Sequence, residues 1–255
     1  MIPSLTSFLL PLVMAVAAGL VGSFAVMKRM TLASDAMSHV ALPGIGIAIL
    51  LGFNPVVGGL AALLLGTLLI WAVEHKTRIP TEAIIGVVFS AALAVGSMVT
   101  PGEELIEALF GSPGRQGWME LVAGLVTAAL VIGFVLRARS RLVIGLVSPD
   151  LARTAGVDVS RLNLCFLLAF ALTVALGLRF LGVLLMGSLV IIPAATAKHL
   201  ARSAREMAVL SVVIAVFSTL AGSLAAPLLR LPAGPLTITV AAAVFLVALS
   251  KRARE

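Results

Sequence analysis

The sequence predicts an all-α integral membrane protein, a polytopic bundle of eight or nine transmembrane helices. Three observations predict it. Of 255 residues, 61% are hydrophobic and only 11% charged, with a mean hydropathy of +1.19. A soluble domain needs about 25% charged residues to cover its surface, so this surface faces lipid. The charged residues also cluster at intervals and leave apolar runs of spanning length, about 20 residues each. Finally, the basic residues fall almost wholly on alternate loops of a nine-span arrangement.

The apolar runs are 4–27, 35–51, 56–73, 83–100, 119–136, 162–178, 180–197, 207–229 and 234–250. The first lacks a basic start and is followed by Lys28-Arg29, so it is a retained span, not a cleaved leader. Asn54-Pro55 divides the uncharged stretch 36–73, which is too long for one crossing. Arg179, flanked by Gly177 and Gly182, divides 162–197 in the same way. Its second piece is a ninth span, or a re-entrant segment if there are eight.

With nine spans, all of the 18 Lys and Arg except Arg115, Arg179 and Arg230 lie on one side. The positive-inside rule makes that side cytoplasmic, placing the N-terminus outside and the C-terminus inside. The formal charge of +7 is therefore topogenic, and nucleic acid is excluded as a partner. The one cysteine, Cys165, sits in an apolar run, which leaves no internal disulfide framework and no cysteine metal cluster. Its expected role is packing or a lipid-facing contact.

The chain is expected to be a single transmembrane domain, 1–255. Small residues recur at helix-packing spacing, as in Ala15/Gly19/Ser23 and Gly58/Gly59/Ala62/Gly66, and let helix backbones approach closely. Two hydrophilic segments stand out, an external one at 101–118 and a cytoplasmic one at 137–161. In the external segment Glu103, Glu104 and Glu107 alternate with Leu105, Ile106, Leu109 and Phe110. That pattern is an acidic amphipathic helix at the outer surface, solvated or attractive to cations.

Asp35 and His39 are the polar pair that carries chemistry. Four residues apart, they share one helix face and reach a common ion. From a helix start near Lys28-Arg29, His39 lies roughly 15 Å along the axis, about half of the ~30 Å hydrocarbon core. A carboxylate at that depth turns to a polar cavity or partner. Carboxylate plus imidazole suits zinc, manganese or ferrous iron, and two copies of the pair across a dimer axis cancel a divalent charge. The competing reading is an Asp–His hydrogen bond that pins the helix, with Ser34 and Ser38 as further partners. Pro43-Gly44, one turn on, is expected to loosen the helix. His75, between Glu74 and Lys76, is expected to be solvated, and His199, beside Lys198, sits at a cytoplasmic helix end.

The stretch 148–158 reads as an ordered element within the cytoplasmic segment 148–161. Ser148 caps, Pro149 suits the first helical position, Asp150 the first turn, and Gly156 the stop. Asp158 or Ser160 then caps the next helix. A short helix held at a fixed angle suits docking to a partner, and an ordered amphipathic loop is the plainer alternative.

Some chemistry is missing from the sequence. No lysine follows a glycine, so the phosphate loop G-x-x-x-x-G-K-[ST] is absent, as are H-E-x-x-H and G-x-S-x-G. Segments outside the apolar runs are too short for a catalytic domain. The chain is expected not to be an enzyme and to have no permanently bound cofactor.

Three stretches in order then resemble the permeases of metal-type ATP-binding-cassette importers, the zinc/manganese/iron class. Ser34-Asp35-Ala36-Met37-Ser38-His39-Val40-Ala41-Leu42-Pro43-Gly44 resembles that family's G-D-A-x-S-H-x-x-L-P-G signature, with Ser34 in place of the usual Gly. Ser148 to Val157 resembles its ATPase-coupling segment S-P-D-x-A-x-x-x-G-V, and Leu189 to Ala197 its L-L-I-x-P-A-A-T-A stretch. Leu109-Phe110-Gly111 matches the external loop. The resemblance covers nearly the whole chain.

The resemblance implies a type II importer-like fold in the cytoplasmic membrane. It also implies a permease homodimer, separate cytoplasmic ATPase subunits, and an extracytoplasmic metal-binding protein. The transported divalent metal is zinc foremost, or manganese or iron. Asp35 and His39 match the family's metal path, and Pro149, Asp150, Leu151, Arg153 and Gly156 fall in the coupling segment. The other readings are a self-sufficient proton-coupled secondary metal transporter, disfavoured by the lack of inverted-repeat symmetry, and a cobalamin- or siderophore-type permease, which has no use for an Asp–His pair.

Overall fold

Every secondary-structure element among the described residues is helical. The computed structural model describes residues 5–77, 79–100 and 117–252. Glu103, Glu104, Glu107 and Leu109-Phe110-Gly111 therefore lie outside the described residues. In chain order the helices are α1 (Leu5–Met27), α2 (Thr31–Leu50), α3 (Pro55–Lys76), α4 (Thr81–Val99), α5 (Trp118–Val147), the short α6 (Pro149–Thr154), α7 (Val159–Leu200), α8 (Ala204–Leu229) and α9 (Ala233–Arg252). Among the described residues eight stretches are long and apolar enough to cross a membrane, and α2 adds a shorter apolar stretch, Asp35–Leu50.

Burial ranks these helices. In the spanning stretch of α1, 72% of residues are buried, against 17% in α4. Thus α1 forms the interior with the second half of α7, while α4 faces outward. α1 packs on α7, α8 and α5, whereas α2 packs on α3, α4 and α7. α7 is the wall shared by the two groups.

Backbones meet where side chains are smallest. A Cβ on Gly44 would overlap the Gly58 carbonyl oxygen, and one on Gly58 would overlap that of Gly44. α2 and α3 therefore touch backbone to backbone, the close approach that small residues permit. The helix continues through Pro43 although proline removes one helical hydrogen bond, and Pro43-Gly44 seats α2 against α4 and α3. Gly19 meets the α8 backbone at Val212, and the Ser211 hydroxyl donates to the Gly19 carbonyl at 2.8 Å.

α7 has 42 residues, about 63 Å if straight, twice the ~30 Å hydrocarbon core. It is not straight. Gly182 has φ 72° and ψ 174°, a conformation essentially confined to glycine. Lys28 bonds to Asn163, while Val26 clusters with Ala194 and Ala197. Both ends of α7 thus return to the same end of α1, so the chain reverses at Gly182. The break falls at the glycine and not at Arg179, because only a residue without Cβ takes this turn. Its second half is a full-length apolar helix, Leu181–Leu200, not a short re-entrant piece. Gly182→Ala is expected to lower the unfolding free energy by about 1–3 kcal/mol, measured by thermal unfolding in detergent. An unchanged midpoint would show that the reversal tolerates a side chain.

Candidate functional site

α2 presents one open face. Asp35 and Ile47 are exposed and His39 and Pro43 half-buried along it, while Met37, Ser38, Val40, Ala41 and Leu42 face the bundle. The helical repeat that buries Leu42 against Gly96 of α4 turns Asp35 and His39 outward together. The His39 ring stands edge-on to Phe89 of α4, with centroids 5.4 Å apart. Its Nδ1 is buried and has no hydrogen-bond partner, and Asp35 is its charged neighbour. No hydrogen bond pins Asp35 to His39, so both keep donor atoms for a ligand. Among the described residues no group of three or more His, Cys, Asp or Glu assembles a complete metal site.

The segment 148–158 is built as its residues dictate. The Ser148 Oγ accepts from the Leu151 amide at 3.2 Å, and Pro149 opens α6. Gly156 ends it at φ 75°. The Val157 amide returns to the Ala152 carbonyl at 2.9 Å and that of Gly156 to the Arg153 carbonyl at 3.0 Å, the Schellman closure. Ala152 alone is buried within α6. Pro149, Leu151 and the Asp150–Arg153 ion pair, at 3.1 Å, stand exposed. Asp158 caps α7 by accepting from the Arg161 amide at 3.0 Å.

Beneath this segment lies a cavity of about 800 Å³ bordered by Lys28, Trp71, Glu74, His75, Arg153 and Asn163. Its polar floor escaped the sequence reading. Asn163 Oδ1 accepts from the Lys28 ammonium, and Asn163 Nδ2 donates to Glu74 Oε2 at 2.6 Å. The Thr81 hydroxyl donates to Glu74 Oε1 at 2.6 Å, and the ammonium also lies 4.7 Å from the centre of the Phe166 ring. Burial pulls Lys28 down to about 8, while the Glu74 carboxylate acts in the opposite direction. The network ties together the ends of α1, α3, α4 and α7. His75 is exposed, as expected, and also has partners. It stacks on Trp71 with centroids 5.7 Å apart, and its Nδ1 lies 3.2 Å from Ser160 Oγ. Only the charges at the run ends hinted at this network, since its partners lie up to 135 residues apart.

His199 is half-buried in the last turn of α7, and Cys165 is exposed. Lys28→Met is expected to lower stability by about 1–3 kcal/mol, since charged hydrogen bonds contribute about that much. Glu74→Gln, which keeps a hydrogen-bonding side chain at Thr81 and Asn163, should cost less. Unfolding midpoints equal to wild type for both would show that the network holds nothing.

Comparison with known proteins decides the family. Residues 4–252 match the model of the ABC 3 transport family. The chain belongs to the ABC 3 transport family. This ABC 3 chain is 29% identical over 240 residues to the high-affinity zinc uptake system membrane protein ZnuB of Haemophilus influenzae, covering 91% of each chain. It is 29% identical over 241 residues to the manganese transport system membrane protein MntC of Listeria monocytogenes, covering 91% of this chain and 85% of the other. Its fold is that of PsaBC from Streptococcus pneumoniae, solved in complex with Fab, with a TM-score of 0.81 at 24% identity. That match covers 95% of this chain and 89% of that one. The ABC 3 fold is thus all-α, polytopic and membrane-embedded, as its composition requires.

Proposed function

We propose that this chain is the permease subunit of an ATP-driven importer for a divalent transition metal: zinc, manganese or ferrous iron. The carrying observation is the open face of α2, where Asp35 is exposed and His39 half-buried one helical turn apart. In this reading the whole chain is one transmembrane domain that acts as a homodimer. Each copy contributes one carboxylate and one imidazole to a transient four-ligand site for the passing ion. Mixed oxygen and nitrogen donors suit all three metals. The zinc and manganese transport named for its relatives supports the same cargo class.

The end of the bundle that carries Lys28, Glu74 and α6 is cytoplasmic, with the N-terminus outside and the C-terminus inside the cell. There Leu151 and the Asp150–Arg153 pair on α6 form the contact for a separate ATPase subunit. Pro149 and Gly156 hold that helix in place. On the other side an extracytoplasmic metal-binding protein delivers the ion.

The chain alone is expected to show no ATP hydrolysis above background. Activity should appear on reconstitution with a nucleotide-binding subunit, and metal uptake should require both. Hydrolysis by the isolated chain would overturn this assignment.

A further inference from the structure

Between α5 and α8 the bundle is not closed. These helices scarcely touch one another, and each leans on α1. The gap is a groove of about 800 Å³, within the usual size of a ligand site. Leu20 and Phe24 of α1 floor it, with Val135 and Val143 of α5 and Val209 and Val212 of α8 as walls.

The groove is not uniformly apolar. Arg139 and Ser140 of α5 and Arg205 in the first turn of α8 also line it, and all three side chains are exposed. Neither guanidinium has an ion-pair partner among the described residues. Arg139 lies about 32 Å along α5 from Trp118, close to the thickness of the hydrocarbon core. With the aromatic Trp118 at one interface, Arg139 falls at head-group depth on the other. A second copy meeting the ligand face of α2 would leave this groove open. α2 lies with α3 and α4 on one side of α7, and α1, α5 and α8 form the other.

We propose that this groove is a binding site for an anionic phospholipid of the surrounding bilayer. Its acyl chains lie along the valines over Leu20 and Phe24. Its phosphate sits between the Arg139 and Arg205 guanidiniums, with the Ser140 hydroxyl beside them. Two unpaired arginines at the head-group end favour negative charge there. Guanidinium is also the group whose planar donor fork fits a phosphate.

Native mass spectrometry of the purified chain in detergent, titrated with phosphatidylglycerol and phosphatidylethanolamine, tests the site. The wild type should retain phosphatidylglycerol preferentially. Arg139→Gln with Arg205→Gln should reduce that preference by roughly thirtyfold, given the usual effect of each basic residue at the membrane surface. Arg137→Gln with Arg141→Gln removes the same charge from α5 at residues that line a different cavity, and should leave the preference intact. Val209→Phe keeps both arginines but fills the groove, and should displace bound lipid of either kind. The proposal is overturned if the wild type shows no preference, or if both arginine pairs reduce it equally. It is also overturned if Val209→Phe retains lipid as before, or if Val209→Cys cross-links two copies through the groove.

Discussion

Asp35→Ala and His39→Ala are each expected to cut metal uptake at least about a hundredfold while the chain still reaches the membrane folded. Loss of even an outer-shell partner of a metal site costs about 10–100-fold in affinity, and these two are proposed as direct ligands. In a dimer either substitution halves the four-ligand set. Removing Asp35 also leaves the divalent charge uncompensated at mid-membrane depth.

The cost to folding should be small. Asp35 is exposed, and His39 has no hydrogen-bond partner at Nδ1. The main loss at His39 is its edge contact with Phe89, about 0.5–1.5 kcal/mol. Uptake in cells, read beside expression level and size-exclusion profile, separates transport from stability. Normal uptake by His39→Ala at normal expression would remove the site. Misfolding of both variants would instead make the pair a structural pin.

Gly156→Val and Arg153→Glu are expected to reduce co-purification of the ATPase subunit at least about tenfold, and uptake with it. Gly156 sits at φ 75°, where a β-branched residue is a genuine outlier, so Val opens the Schellman closure and frees α6. Arg153→Glu places a second carboxylate beside Asp150 and reverses the charge on the exposed face. Neither change touches a spanning helix, so membrane insertion and the unfolding midpoint of the transmembrane bundle should stay near wild type. Undiminished association in both variants would show that α6 is not the contact. Loss of the membrane-inserted chain itself would show that the segment serves folding.

The caps of α6 were legible in the sequence because they are local. Ser148, Pro149, Gly156 and Asp158 each act within six residues along the chain, and all take the positions that their side-chain chemistry dictates. The spacing of Asp35 and His39 was legible for the same reason, since one helical turn is a property of the backbone. What they face was not. Most of these helices are apolar all round, and a helix of that kind carries no sequence signal for which face turns inward. The open face of α2 is set by where α3, α4 and α7 press on it.

The sequence by itself determined a membrane-embedded helical bundle, the placement of its charges at run ends, and a capped short helix at 149–154. Energies of lipid burial and local capping depend on composition and near neighbours alone. Only the tertiary structure decided that the chain reverses at Gly182 and not at Arg179, because the turn depends on a backbone angle that closes α7 against α1. It also decided that Gly44 seats α2 on α3, since a glycine's role follows from the carbonyl opposite it. The same holds for Lys28, Asn163, Glu74 and Thr81, whose charges and amides are separated in sequence and meet only when four helix ends are packed together.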